Sequence, residues 1–366
     1  MNIAIIHDFL NQYGGAERAF HYLIDVFPES SLFTSIYFPE STFDYFKDKK
    51  IKVSFMQKIP GINKNFKKFF FFYPFAFKRI NLKKFEVIIS SSSSFSHFIN
   101  KSKNSIHIVY CYTPPRFLWE TEKYLEGEKF SRFLSSLIKI YIRYLKKLDL
   151  NQSKKIDYYI AISENVKNKI NKIYKRDAFV IYPPIDIAKY IFKEKKGDFY
   201  LIVSRLKGYK KLDIAIKAFN TLGKKLLIVG TGEDEAFLKE ISNENINFLG
   251  RIDESKLLSL YSEAKALIFP GEEDFGLTPL EAQASGTPVI AYGAGGALET
   301  IINRETGLFF YEQDPEELIK AVKEFENYDI DALKCRANAE RFGFNQFRDK
   351  IFNLVNDFYR KNESNL

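Results

Sequence analysis

Short apolar runs rich in Ile, Val, Phe and Tyr alternate along the chain with segments of helical period, the pattern of parallel strands joined by crossover helices. In the first half these runs predict strands at 3–7, 32–36, 87–90, 106–111, 158–162 and 179–182. A helix is expected over 15–27, where Ala16, Ala19, Phe20, Leu23 and Phe27 share one face and Pro28 follows the end. Pro183 and Pro184 interrupt the alternation, and the charged stretch 193–198 precedes a fresh strand at 199–204. The second half repeats the pattern with strands at 226–229, 246–249, 266–269, 288–291 and 308–311, and helices at 332–341 and 345–359 close the chain. The expected fold class is therefore α/β, in two Rossmann-like domains. A length of 366 residues with 46% apolar positions suffices for two cores of roughly 150–180 residues each.

Ligands of open α/β sheets bind beyond the carboxyl ends of the strands, so residues just past a strand are the candidates for chemistry. With two such domains facing each other, the expected site is the cleft between them. Gly14-Gly15 opens the first helix, where unpaired amides and the helix dipole suit a phosphate; the same pair also serves a tight turn. Gly230-Thr231-Gly232 begins like a dinucleotide fingerprint, but Glu235 occupies the third glycine's place, and a plain turn explains it equally well. Arg205 ends a strand, with Lys210 and Lys211 shortly after. This set reads either as a diphosphate clamp or as a solvated basic loop. Lysines at a helix start oppose the dipole, so a compensating anion is expected.

The segment Glu273-Asp274-Phe275-Gly276-Leu277-Thr278-Pro279-Leu280-Glu281 is the most specific. Thr278 with Glu281 reads as a capping box with Pro279 at the first helical position, which explains Glu281 without any ligand. Glu273 has no such explanation. A carboxylate beside an anion site is repelled unless neutral hydroxyls donate to it, and sugars and riboses supply those. The segment thus points to a nucleotide sugar. A glycosidase pair, about 5–9.5 Å apart, and an epimerase both stay open at this point, although a basic clamp argues for a phosphate leaving group.

Charge and composition narrow the classes. The net charge of +9 is uneven: residues 49–85 contain Lys and Arg throughout but neither Asp nor Glu. No nucleic-acid-binding motif accompanies this charge. Residues 63–84, including Lys67, Lys68, Lys78 and Arg79, read either as a docking face for anionic lipid or as an amphipathic core helix with a solvated Lys face. The run 69–77 is far too short to span a bilayer. Cys111 and Cys335 are the only cysteines, and His7, His21, His97 and His107 lack metal-ligand spacing. A reducing compartment, no metal and no cofactor are expected. No secretory leader is expected from the first residues. The expected location is cytoplasmic, with peripheral attachment to the cytoplasmic face of the inner membrane as the alternative raised by 63–84.

These residues resemble the retaining glycosyltransferases of family 4, through 273–281, Ser204-Arg205 with Lys210, Gly14-Gly15-Ala16-Glu17 and Tyr182-Pro183-Pro184-Ile185-Asp186. His7-Asp8-Phe9-Leu10, 111–116 and 294–300 are most similar to bacterial mannosyltransferases of surface-polysaccharide and O-antigen assembly. The resemblance implies the GT-B fold, with domains at 1–185 and 186–344 and a C-terminal helix within 345–366 packing on the first. It implies GDP-mannose as donor and a glycan or lipid-linked saccharide as acceptor. Transfer of a UDP- or dTDP-sugar, or a noncatalytic nucleotide-sugar-binding subunit, are the alternatives. By the same resemblance Glu273 binds donor-sugar hydroxyls, Glu281 the ribose, and Arg205 and Lys210 the diphosphate. Gly14, Gly15, Gly230, Arg251, Phe275, Gly276, Leu277 and Thr278 complete the donor site, and His7, Asp8, Tyr112 and Arg116 fall on the acceptor side. Relatives often carry His where this chain has Tyr112.

Overall fold

The computed structural model describes residues 1–121 and 132–364. Residues 365 and 366 of the expected returning segment lie outside the described residues. The chain forms two compact units, Met1–Pro183 with Phe347–Leu366, and Pro184–Gln346.

The first unit is built on an all-parallel sheet of β1 (Ile3–His7), β2 (Ser31–Thr34), β3 (Ile51–Val53), β4 (Val87–Ser92), β5 (Ile106–Cys111), β6 (Tyr158–Ala161) and β7 (Phe179–Val180), in the order β3-β2-β1-β4-β5-β6-β7. Every residue of β1, β4 and β5 is buried, as expected of strands covered on both faces. The helix Gly15–Val26 returns the chain from β1 to β2 and buries Ala19, Phe20, Leu23 and Ile24. The C-terminal helix Phe344–Glu363 buries Phe347, Ile351, Val355 and Phe358, a stripe of helical period. Its Phe358 ring stacks on Tyr158 with centroids 3.6 Å apart, and Tyr359 Oη donates to Glu86 Oε1 at 3.0 Å.

The second unit has β8 (Tyr200–Val203), β9 (Leu226–Val229), β10 (Ile246–Gly250), β11 (Ala266–Phe269), β12 (Val289–Tyr292) and β13 (Gly307–Phe310), again all parallel, in the order β10-β9-β8-β11-β12-β13. Helices Leu212–Leu222 and Pro315–Phe325 cover the sheet's core, in which Phe219 and Val322 are wholly buried. Burying such a Phe contributes about 2–3 kcal/mol. The chain order reverses between β1 and β4 in one unit and between β8 and β11 in the other, so two neighbouring exit loops diverge at each switch point.

Two expectations need correction. The helix expected to start at Pro279 runs from Leu277 to Ala284, with Gly276 as its N-cap at φ 96° and no side-chain cap. Pro279 therefore sits at the third helical position, and Thr278 is already inside the helix. Residues 63–84 do not form one amphipathic helix. They break into a single α-helical turn at Ile62–Asn65, a 3-10 helix at Phe66–Phe69 and the short helix Tyr73–Lys78. Only one side of this last piece, with Tyr73, Ala76 and Phe77, enters the core.

Candidate active site

The second unit brings the donor candidates to one switch point. Arg205 and Lys210 lie on the loop leaving β8, and Glu273 lies on the loop leaving its neighbour β11. Lys210 Nζ pairs with Glu273 Oε1, both side chains 17% exposed. The anion expected to offset a lysine at this helix start is thus supplied by the chain itself, from Glu273. The Arg205 guanidinium is exposed and has no hydrogen-bond or ion-pair partner among the described residues.

Glycines let these loops approach. A Cβ on Gly230 would stand 1.9 Å from Ser204 O, and one on Gly232 would stand 2.1 Å from Leu206 O. The backbones are joined there by Leu206 N to Thr231 O at 3.1 Å and Asp234 N to Leu206 O at 3.2 Å. Gly230-Thr231-Gly232 therefore packs the Arg205 loop, and chain contact alone accounts for its glycines. Gly271 has the same relation to Lys210, whose carbonyl oxygen would lie 2.9 Å from an added Cβ.

A second brace holds Glu273 from the β12 side. Gly296 N donates to Glu273 O at 2.8 Å. Cβ atoms on Gly295 and Gly296 would lie 2.4 Å from Glu273 O and 2.2 Å from Phe275 Cα respectively. Behind the brace, Gln283 Nε2 and Asn338 Nδ2 both donate to Thr300 O at 2.9 Å, and Thr300 Oγ1 donates to Gly296 O at 3.1 Å. The motif 294–300 so acquires a physical reason: its glycines seat the carboxylate-bearing loop. Phe275 is buried and packs on Phe342, with ring centroids 5.8 Å apart.

Glu281 is buried on the helix Leu277–Ala284, and its Oε2 accepts from Tyr261 Oη at 2.6 Å. Tyr261 is fully buried, and its carbonyl accepts from Thr287 Oγ1 at 2.5 Å. Sequence reasoning missed Tyr261, because an aromatic residue on a helix's buried face carries no polar signal. Arg251 is exposed directly after β10, beyond Gly250 at φ 64°.

In the first unit, His7 ends β1, and Tyr112 directly follows β5. Both address Ser91 of β4: His7 Nδ1 lies 2.8 Å and Tyr112 Oη 2.7 Å from Ser91 Oγ. Burial holds the Tyr112 hydroxyl well above the usual phenol range, against the opposing effect of the Ser91 bond. Glu17, on the first helix, accepts from Gln12 Nε2 at 2.8 Å, and its Oε1 lies 3.8 Å from His7 Nε2. His7 Nε2 and Glu17 Oε2 are buried without a hydrogen-bond partner among the described residues. Glu17 carried a signal, its place directly after Gly14-Gly15-Ala16. Gly14 is extended at φ −151° and leaves the helix without a side-chain cap. Its lack of a side chain makes room for Glu17, whose Oε2 would lie 2.5 Å from an added Cβ. Gly15 is exposed as the first helical residue, and Arg116 starts the short helix Arg116–Trp119.

Asp8 is buried and accepts four hydrogen bonds, from Ser93 N and Oγ, Phe95 N and Ser96 N, at 2.6–3.1 Å. That saturation makes it the clamp of the loop after β4. Among the described residues there is no group of three or more His, Cys, Asp or Glu that could hold a metal ion. No described helix is long and apolar enough to cross a membrane. Cys111 and Cys335 are buried, and neither is in a disulfide among the described residues.

Residues 186–342 match the family described as Glycosyl transferases group 1. The chain thus carries a group 1 glycosyltransferase domain, its Arg205, Lys210, Glu273 and Glu281 all within the matched stretch. Among curated relatives, the O-antigen chain mannosyltransferase RfbU of Salmonella typhimurium is 26% identical over 233 residues, covering 60% of this chain and 65% of that protein. An uncharacterized glycosyltransferase of Methanocaldococcus jannaschii is 31% identical over 215 residues, covering 52% and 54%. The chain therefore spans between about half and two thirds of the length of such relatives. Among solved structures, Anabaena HepE in complex with UDP superposes with a TM-score of 0.70 at 15% identity, covering 98% of this chain and 100% of that one. The apo lipopolysaccharide outer core galactosyltransferase WaaB gives 0.65 at 19%, covering 96% and 99%. The fold is that of the GT-B glycosyltransferases.

Proposed function

We propose that the chain is a retaining hexosyltransferase of family 4 that moves mannose from GDP-mannose onto a glycan or lipid-linked saccharide in bacterial surface-polysaccharide synthesis. The observation that carries this reading is the Lys210–Glu273 pair at the β8/β11 switch point, with the unpaired Arg205 on the same loop as Lys210. A nucleotide sugar offers each charge a better partner: the diphosphate for Lys210 and Arg205, and sugar hydroxyls for Glu273. As the bond to the diphosphate breaks, negative charge builds on the leaving oxygens, where Arg205 and Lys210 stabilise it. The leaving phosphate itself takes the acceptor proton on the same face. Glu281, oriented by Tyr261, takes the ribose hydroxyls, and the first unit's His7, Tyr112 and Arg116 serve the acceptor.

The name of the Salmonella relative favours mannose, and UDP in the HepE structure favours a second reading, a UDP-sugar at the same site. Thermal shifts against GDP-mannose, UDP-glucose, UDP-galactose and a dTDP-sugar separate the two. A donor at a hundred times its Kd adds about 2.7 kcal/mol to the folded state. A shift with GDP-mannose alone is expected, and a shift with a UDP-sugar alone selects the second reading. No shift with any of them refutes nucleotide-sugar binding. Binding without transfer to any of a panel of lipid-linked acceptors would instead mark a noncatalytic subunit.

A further inference from the structure

A groove of about 660 Å³ opens at the edge of the first unit's sheet, between β3 and the segment following the helix Tyr73–Lys78. Lys52, Arg79, Lys83 and Lys84 line it, and no Asp or Glu does. None of the four has a carboxylate partner among the described residues. Three rest on aromatic rings instead: Lys52 Nζ lies 5.2 Å from the centroid of Phe33, Lys84 Nζ 5.2 Å from Phe85, and Arg79 Cζ 5.6 Å from Phe55. Ring faces hold these cations without neutralising them, so the groove pairs an apolar floor with uncompensated positive charge. That combination fits an anion joined to a hydrocarbon.

The neighbouring helix says what carries the anion. Phe72, Phe75 and Arg79 are spaced to share one side of the helix Tyr73–Lys78 and its caps. Phe72 is 42% exposed and Phe75 58%, while Arg79 lines the groove. Two large rings turned outward beside a cationic groove match the interface of a bilayer, where apolar side chains enter below the headgroups and basic ones stay among them. We propose that this groove is a headgroup site for anionic phospholipid at a membrane surface, with Phe72 and Phe75 entering the interface beside it. The site is remote in the sequence from Arg205, Lys210 and Glu273, and the proposal stands apart from the transferase reading.

Cosedimentation of the full chain with phosphatidylglycerol/phosphatidylcholine vesicles tests it. The expected result is binding that falls steeply as salt rises, with little binding to phosphatidylcholine alone. Lys83→Ala with Lys84→Ala should weaken binding by roughly 25-fold, about fivefold for each cation removed, at unchanged Tm. Phe72→Ser with Phe75→Ser should weaken it about tenfold and leave the salt dependence as it was. The second-unit pair Lys256→Ala with Lys323→Ala should change nothing. Equal binding by the Lys83/Lys84 variant and the wild type, or an equal loss from the second-unit pair, overturns the headgroup site. Full release by millimolar glycerol 3-phosphate would assign the groove to a free phosphate ester and overturn membrane docking.

Discussion

The brace on Glu273 can be broken by one methyl group. Gly296 has φ −68° and ψ −15°, so alanine suits its backbone and no torsional strain enters. The added Cβ would stand 2.2 Å from Phe275 Cα and 2.3 Å from its carbonyl oxygen, and restoring ordinary contact requires the two backbones to part by roughly 1.5 Å. Neither neighbour is a flexible side-chain end that can swing aside. Overpacking of this kind costs about 1–3 kcal/mol, and loss of the Gly296–Glu273 backbone bond about 1 kcal/mol more. For a unit of this size the sum corresponds to a fall of roughly 5–12 °C in Tm. The displacement reaches Glu273 directly, and a shift of about 1 Å at a positioned group costs about 100-fold in rate. Gly296→Ala should therefore fold, melt lower and lose about two orders of magnitude in kcat/KM for the donor. Gly223→Ala is the control: it places alanine at φ 65° with nothing within 4 Å, costing about 1–2 kcal/mol of stability and no activity. Measuring urea unfolding and kcat/KM on both variants decides the matter. Wild-type kcat/KM in Gly296→Ala would refute the brace.

Arg205→Ala should lower kcat by about 10²–10³ without moving Tm, because the side chain is exposed; an unchanged kcat would remove it from the leaving-group clamp. Asp8→Ala strips acceptors from three backbone amides and a hydroxyl in the loop at 93–96, at about 1–3 kcal/mol for each amide left buried. Chemical denaturation should show a loss of several kcal/mol, with a partial return in Asp8→Asn. Burial raises the Glu326 carboxyl, but donation from Lys224, Lys265 and Tyr200 outweighs that and holds it at about 2. A depressed folded-state value contributes stability above the ordinary carboxyl range and loses it as pH falls through about 2. The wild type should thus lose its advantage over Glu326→Gln on going from pH 5 to pH 2, and equal pH profiles would contradict the assignment.

Much of the fold was legible because buried parallel strands announce themselves as short apolar runs. The strands at 106–111, 226–229 and 266–269 fall where the sequence predicts them. β3 was not legible: Lys49 and Lys50 precede it, Lys52 is its central residue, and an edge strand with exposed residues needs no apolar run. At the site, Glu273, Arg205 and Lys210 stood out because charge placed after a strand calls for a partner. The capping box misled because its four-residue pattern is local, whereas the helix start is set by Gly276 at φ 96°. Contacts across the fold, such as Gly296 against Phe275 or Tyr261 on Glu281, arise between segments far apart in the chain. No window of sequence displays them.

The central claim, that Glu273 holds the donor sugar while Lys210 and Arg205 hold its diphosphate, is tested most directly by Glu273→Gln. The change keeps the side chain's size and removes the charge that Lys210 pairs with. Transfer measured with GDP-mannose, or with whichever nucleotide sugar binds, should fall by at least about 10², while the melting curve keeps its cooperative form. A Glu273→Gln enzyme that transfers at the wild-type rate would contradict the account.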